Sequence, residues 1–192
     1  MKGFRGFEVH ETLHTSGSTL VLRASDAEGR SVVLKSPAQR HPSQAAVDEL
    51  RAEFKIGRAL ECDDVVRHLA LVQEGADVAL VLEDFGGEPS SVLLEEDLPV
   101  AGPFLSFAIG AARALAALHD RAIVHKDISP GNLLIERKSG AVKICDLGLA
   151  SRLPRTTQGL CSPELLEGTL AYISPEQTGR MNRSIDHRSD LY

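Results

Sequence analysis

The sequence predicts an α+β chain in two parts, strand-rich up to about residue 83 and helical from about 84 onward. Three observations predict it. Short β-patterned runs joined by tight turns fill the first part. A polar, glycine-bearing stretch, Glu83-Asp84-Phe85-Gly86-Gly87, then breaks the pattern and reads as a hinge. Helical spacing takes over after Pro103.

Residues 7–14, 19–24 and 31–35 read as three strands of an antiparallel meander, turned at Thr15-Ser16-Gly17-Ser18 and at residues 26–30. Pro42-Ser43 then signals the start of a helix over residues 43–60, with Val47, Leu50, Phe54 and Gly57 at helical spacing. Gly57 is unexpected there, because a glycine inside a helix costs about 1 kcal/mol relative to alanine. Residues 65–73 and 78–82 read as two further strands around Glu74-Gly75-Ala76-Asp77. Past the hinge, residues 90–98 suit a short helix. Pro103 opens a longer one with Phe104, Leu105, Ala108, Ile109, Ala112, Leu115 and Leu118 on one face. Residues 133–136 and 141–145 make a hairpin, followed by a polar loop over 150–167 that carries Thr156 and Thr157.

Composition narrows the class. Hydrophobic residues make up 43% of the chain and charged residues 25%, enough to bury a core and too apolar for disorder. A net charge of −6 without a basic run argues against a nucleic-acid partner. Three cysteines without a Cys-x-x-Cys pair read as reduced thiols, with no zinc site, in a cytoplasmic protein. The first residues lack a signal peptide's apolar core. The most apolar helical stretch is interrupted by Arg113 and too short for a membrane span.

The chemistry-bearing residues are concentrated in one stretch. Ile123-Val124 leads in and Leu133-Leu134-Ile135 leads out, with His125, Asp127 and Asn132 on the polar loop between them. Side chains on a loop flanked by buried strands can be held rigidly, although Asp and Asn also suit plain turn chemistry. Asp146, after a buried strand and followed by Leu147-Gly148, suits a metal ligand on a loop. Lys35 ends an apolar strand, and Glu53 on the following helix is spaced to pair with it, with Glu49 the alternative partner.

Taken together and in order, Lys35, Glu53, His125-Lys126-Asp127, Asn132, Asp146-Leu147-Gly148 and Ser174-Pro175-Glu176 resemble the eukaryotic-type serine/threonine protein kinase domain. The segment from Gly168 to Arg183, Gly-Thr-Leu-Ala-Tyr-Ile-Ser-Pro-Glu-Gln-Thr-Gly-Arg-Met-Asn-Arg, resembles the N-terminal kinase domain of large bacterial signalling proteins. Those proteins carry ATPase, GAF and histidine kinase modules downstream. The resemblance implies a bilobal kinase fold, with an N-lobe over 1–83, a partial C-lobe over 84–192 and ATP bound between them. It implies ATP and Mg²⁺ as cofactors and a protein substrate.

The resemblance also implies roles. Asp127 orients the acceptor hydroxyl, Asn132 and Asp146 bind magnesium, and Lys35 holds ATP phosphates with Glu53 behind it. Val21, Val33 and Leu134 sandwich adenine, while Glu83 and Phe85 offer hinge backbone hydrogen bonds. His125, Gly148, Thr169 and Glu176 support the site, Thr169 by steadying Asp127. Three departures stand out. His14, Ser16 and Thr19 replace the glycines of the phosphate loop, leaving only Gly17. Ser129 stands where the family places a phosphate-contacting lysine, and Gly57 where it places an apolar residue packed near Leu147. A kinase-fold regulatory module or a small-molecule phosphotransferase are the alternatives. Only Asp190-Leu191-Tyr192 of the family's central helix is present, so the 192-residue chain alone is expected to be an inactive, truncated product.

Overall fold

The computed structural model describes residues 4–95, 101–152, 169–179 and 183–192. Thr156, Thr157, Cys161 and Gly168 lie outside these residues. The chain divides into two compact units, one of residues up to Glu61 with Val66–Gly86, the other of Cys62–Val65 with the residues from Gly87 on.

The first unit is a five-stranded antiparallel sheet with one helix. Its strands are β1 (Glu8–Thr15), β2 (Thr19–Ser25), β3 (Ser31–Pro37), β4 (His68–Glu74) and β5 (Asp77–Glu83), in the order β1-β2-β3-β5-β4. The meander therefore stops at β3, and β5 rather than β4 pairs with it, Lys35 opposite Leu80. Alternation along the strands gives the sheet two faces. Leu22, Ala24, Val32, Leu34, Ala79 and Val81 form one buried cluster with Phe4. Val21 lies directly opposite Lys35 in the β2–β3 register, so Val21, Val33 and Lys35 share the other face.

Helix α1 (Gln44–Arg58) begins at Ser43, whose hydroxyl accepts the Ala46 N–H. It buries Val47, Leu50, Glu53 and Gly57. Gly57 has a local reason. A Cβ built there would fall 2.2 Å from Nδ1 of His68, so only glycine admits that ring. The expected strand over 65–73 is shorter, starting at His68. Val65 instead bridges in parallel to Ile144, and Asp64 O accepts the Ile144 N–H at 2.9 Å within the second unit.

The second unit contains α2 (Ser90–Glu95), α3 (Ala101–His119) and two small sheets. One pairs β7 (Ile123–Val124) with β10 (Ser151–Arg152). The other orders β6 (Glu88–Pro89), β8 (Leu133–Ile135) and β9 (Val142–Ile144) as β6-β8-β9. The buried side of α3 is not the apolar side that begins at Phe104. Ala114 and Leu118 are fully buried, whereas Phe104, Leu105 and Ile109 are 54%, 59% and 52% exposed. The helix is apolar on more than one side, so periodicity alone did not choose its face. Gly110 chose it. A Cβ at Gly110 would lie 2.8 Å from Val142, so this side of the helix reaches β9 most closely. No described helix is long and apolar enough to cross a membrane.

Candidate active site

In the first unit, Lys35 Nζ donates to Glu53 Oε2 at 2.8 Å, with side chains only 10% and 2% exposed. Glu49 is exposed on α1 and has no such place. A lysine fixed by a buried carboxylate presents a point charge of defined position, as phosphate oxygens require. The Gly-poor hairpin between β1 and β2 is closed by Ser16. Its Oγ accepts the Thr19 N–H at 3.0 Å and the Ser18 N–H at 3.4 Å.

Glu83 and Asp84 are held by side chains of the same unit. Glu83 accepts the Arg67 backbone and guanidinium N–H groups at 3.0 and 2.9 Å, and its own N–H donates to Arg67 O. Asp84 takes Ser31 Oγ at 2.6 Å, Arg23 Nε at 2.8 Å and the Gly86 N–H at 3.1 Å. Burial alone would raise the Asp84 pKa. The Ser31, Gly86 and Arg23 hydrogen bonds outweigh it and hold the carboxyl below its ordinary value. Phe85 follows, half-buried, with Gly86 turning the chain at φ 75°.

In the second unit, the loop after β7 is built on His125. The ring is fully buried, Nε2 donating to Cys145 O at 3.1 Å and Nδ1 accepting the Asp127 N–H at 3.3 Å. One acceptor and one donor around the ring select the Nε2–H tautomer. Asp127 is gripped from two sides, by Thr169 N–H on Oδ1 at 2.7 Å and by Asn132 Nδ2 on Oδ2 at 2.9 Å. Thr169 thus acts through its backbone. Asn132 Nδ2 also donates to Asp127 O at 2.8 Å, and the backbone carbonyl of Asn132 accepts the Cys145 N–H at 3.0 Å. Asp146 follows Cys145 directly. Its φ of 62° is left-handed, and its Oδ1 accepts the Gly148 N–H at 3.1 Å. Leu134, on β8, pairs with Lys143 of β9 and Pro89 of β6.

Two residues that sequence reasoning passed over hold this loop, and a third, Ser189, holds Glu176. Asp190, noticed only as a helix start, accepts the His125 and Lys126 N–H groups and His119 Nε2 at 2.7–2.9 Å. Gln177 Nε2 donates to Lys126 O at 2.7 Å, while its Oε1 accepts from Ser174. Ser189 Oγ donates to Glu176 at 2.5 Å. Only an acid at the first turn of the final helix hinted at any of these in the sequence.

A metal fits this donor set by its chemistry. Asn132 turns its side-chain nitrogen onto Asp127, which points its side-chain Oδ1 the other way, where it could meet a cation. With the Asp146 carboxylate this gives hard oxygen donors, as magnesium prefers, and few enough that phosphates and water complete the shell.

An aspartate held beside an asparagine on a histidine-anchored loop is the arrangement of the phosphotransferases that act on hydroxyl groups. A family model described as protein kinase domain matches residues 7–192, and the chain belongs to that family. It is 36% identical over 193 residues to the DNA damage-responsive serine/threonine-protein kinase RqkA of Deinococcus radiodurans, covering 97% of this chain and 28% of that protein. It is 30% identical to the serine/threonine-protein kinase PknB of Mycolicibacterium smegmatis, covering 99% of this chain and 29% of that protein. The serine/threonine-protein kinase pkn2 of Myxococcus xanthus is also 30% identical, over 85% of this chain and 20% of its own length. The chain thus spans less than a third of each of these relatives.

Proposed function

We propose that the protein containing this chain transfers the γ-phosphoryl group of ATP to serine or threonine hydroxyls of a protein substrate in signalling. The observation that carries the reading is Asp127. Each of its carboxylate oxygens accepts one fixed donor, Thr169 N–H or Asn132 Nδ2, and each keeps capacity for another. A carboxylate so aimed accepts the substrate hydroxyl's proton as the oxygen attacks phosphorus. Lys35, braced by Glu53, holds phosphate oxygens. Val21, Val33 and Leu134 contact adenine, and the Glu83 carbonyl and Phe85 backbone bond its edge. Asn132 and Asp146 would hold Mg²⁺, which would neutralise phosphate charge when bound. His125 and Gly148 keep the two loops in shape, and Glu176, through Ser189, ties the Ser174-Pro175-Glu176 segment down.

The reading extends to a cytoplasmic location, where ATP is supplied, and to ATPase, GAF and histidine kinase modules downstream. The last rests on the resemblance of residues 168–183. Nucleotide titration of the full-length protein tests the assignment. ATP affinity should rise with magnesium in the wild type and lose that dependence in Asp146→Asn. Equal magnesium dependence in both proteins would overturn it.

A further inference from the structure

His68 is a buried imidazole that no step above uses. It is 3% exposed at the start of β4, paired in register with the apolar Leu82 of β5. A histidine there costs desolvation, and it also displaces any side chain at Gly57. The ideal Cβ of residue 57 would lie 2.2–2.5 Å from three atoms of the His68 ring. Gly57 and Glu53 are four residues apart on α1 and hence share its face. The missing side chain at 57 thus opens the space beside Glu53, and the His68 ring fills it.

The polar atoms in that space are matched. Glu53 gives Oε2 to Lys35, while its Oε1 is buried without a hydrogen-bond partner. Nε2 of His68 is likewise buried and unpartnered, 3.6 Å from that same Oε1. The other ring nitrogen, Nδ1, lies 3.1 Å from Val66 O. The ring therefore faces an acceptor at each nitrogen, unlike His125, which faces one acceptor and one donor. A proton on Nε2 faces Glu53, and one on Nδ1 faces Val66. A shift of a few tenths of an ångström turns the 3.6 Å approach into a hydrogen bond.

We infer that His68 is a positioning residue, the second partner of Glu53. It fixes the carboxylate that fixes the Lys35 ammonium, and Gly57 is glycine so that the ring can reach it. The inference rests on the kinase reading of Lys35 and Glu53. It makes a three-member chain, Lys35–Glu53–His68, of what sequence spacing presents as a pair. A carboxylate held at both oxygens cannot swing, so the ammonium keeps its place when phosphates arrive and leave.

The test compares His68→Leu, which keeps bulk and removes both nitrogens, with His68→Gln, which keeps an amide donor. In the full-length protein, His68→Leu should lower kcat/KM for ATP about 10- to 100-fold, the size of a small misplacement of a catalytic group. Its melting temperature should be unchanged or higher. His68→Gln should recover most of the loss, and in a Glu53→Gln background His68→Leu should add little. Activity of His68→Leu within twofold of wild type, or full multiplicative effects of the two changes, would overturn the inference. A readout independent of turnover separates this from failure of the kinase reading. The His68 ring ¹⁵N resonances should move in Glu53→Gln. If wild type transfers no phosphate, the kinase reading fails. Moved resonances then still support the His68–Glu53 contact, and unmoved ones overturn it.

Discussion

Asp190 stands 64 positions from Lys126 in the chain, yet its Oδ1 accepts the Lys126 N–H at 2.7 Å. Its Oδ2 takes the His125 N–H at 2.9 Å and His119 Nε2 at 2.8 Å. Lys126 adopts a left-handed φ of 69°, which costs a residue with a Cβ of order 1–3 kcal/mol. The Asp190 carboxylate offsets that cost and sets the direction in which Asp127 leaves the backbone.

Replacing Asp190 by alanine orphans two backbone N–H groups at the root of the loop. Each buried orphan costs about 1–3 kcal/mol, so Asp190→Ala should lose at least about 2 kcal/mol in urea unfolding. Asp190→Asn keeps one acceptor oxygen and should lose less. Unfolding midpoints matching wild type for both variants would show that the loop is held by something else.

Ser16 closes the β1–β2 hairpin by taking the Ser18 and Thr19 N–H groups, the donors a phosphate would use. Ser16→Gly frees both, at the cost of a looser turn. One recovered hydrogen bond is worth about 1 kcal/mol, so ATP should bind roughly fivefold tighter by calorimetry. Weaker binding in Ser16→Gly would mean that the serine shapes the turn for nucleotide instead of competing with it.

The Ser174–Thr178 turn should be acid-sensitive. The Ser189 hydroxyl, against the opposing effect of burial, holds the Glu176 carboxyl below its ordinary value of 4.5. Asp186, the cap of the short helical turn His187–Leu191, is held well below the usual carboxylate range, first by the Arg188 guanidinium. A depressed carboxylate contributes stability that is complete above its unfolded pKa and lost as pH falls through the folded one. Hydrogen-exchange protection of residues 174–179 and 186–190 should thus be flat above about pH 5 and fall below it. Ser189→Ala should flatten the Glu176 part of that loss. Protection that instead fell as pH rose from 5 to 8 would contradict the assignment.

The fold was legible where the physics is local. The β-runs, the Ser43 cap and the polar break at Glu83–Gly87 each announce themselves within a few residues. The pairing of β3 with β5 is not local, because nothing in either strand says which edge its partner takes. Spacing alone drew attention to Asp127 and Asn132, which are close in the chain and share a loop. Asp190 and His68 act over long sequence distances. An aspartate near a chain end and a histidine opening a strand carry no local mark of burial. Gly57 did carry a mark, the cost of glycine inside a helix, but its reason lies in a ring on another element. On α3 the sequence shows Phe104, Leu105 and Ile109 as one apolar face, but which of the helix's apolar sides is buried depends on other elements, and this one stands exposed.

The central claim is that Asp127 acts on the acceptor hydroxyl and not on the nucleotide. Its carboxylate contacts Thr169 through one oxygen and Asn132 through the other, and asparagine at 127 keeps the shape of the side chain and one of these two bonds. The measurement is transfer of labelled γ-phosphate to a protein substrate by full-length wild type and Asp127→Asn, alongside magnesium-dependent ATP affinity. Affinity should agree within a few-fold, while transfer should fall by about 10²–10⁴. Transfer by Asp127→Asn near the wild-type rate, or a loss of transfer explained entirely by lost ATP binding, would contradict the account.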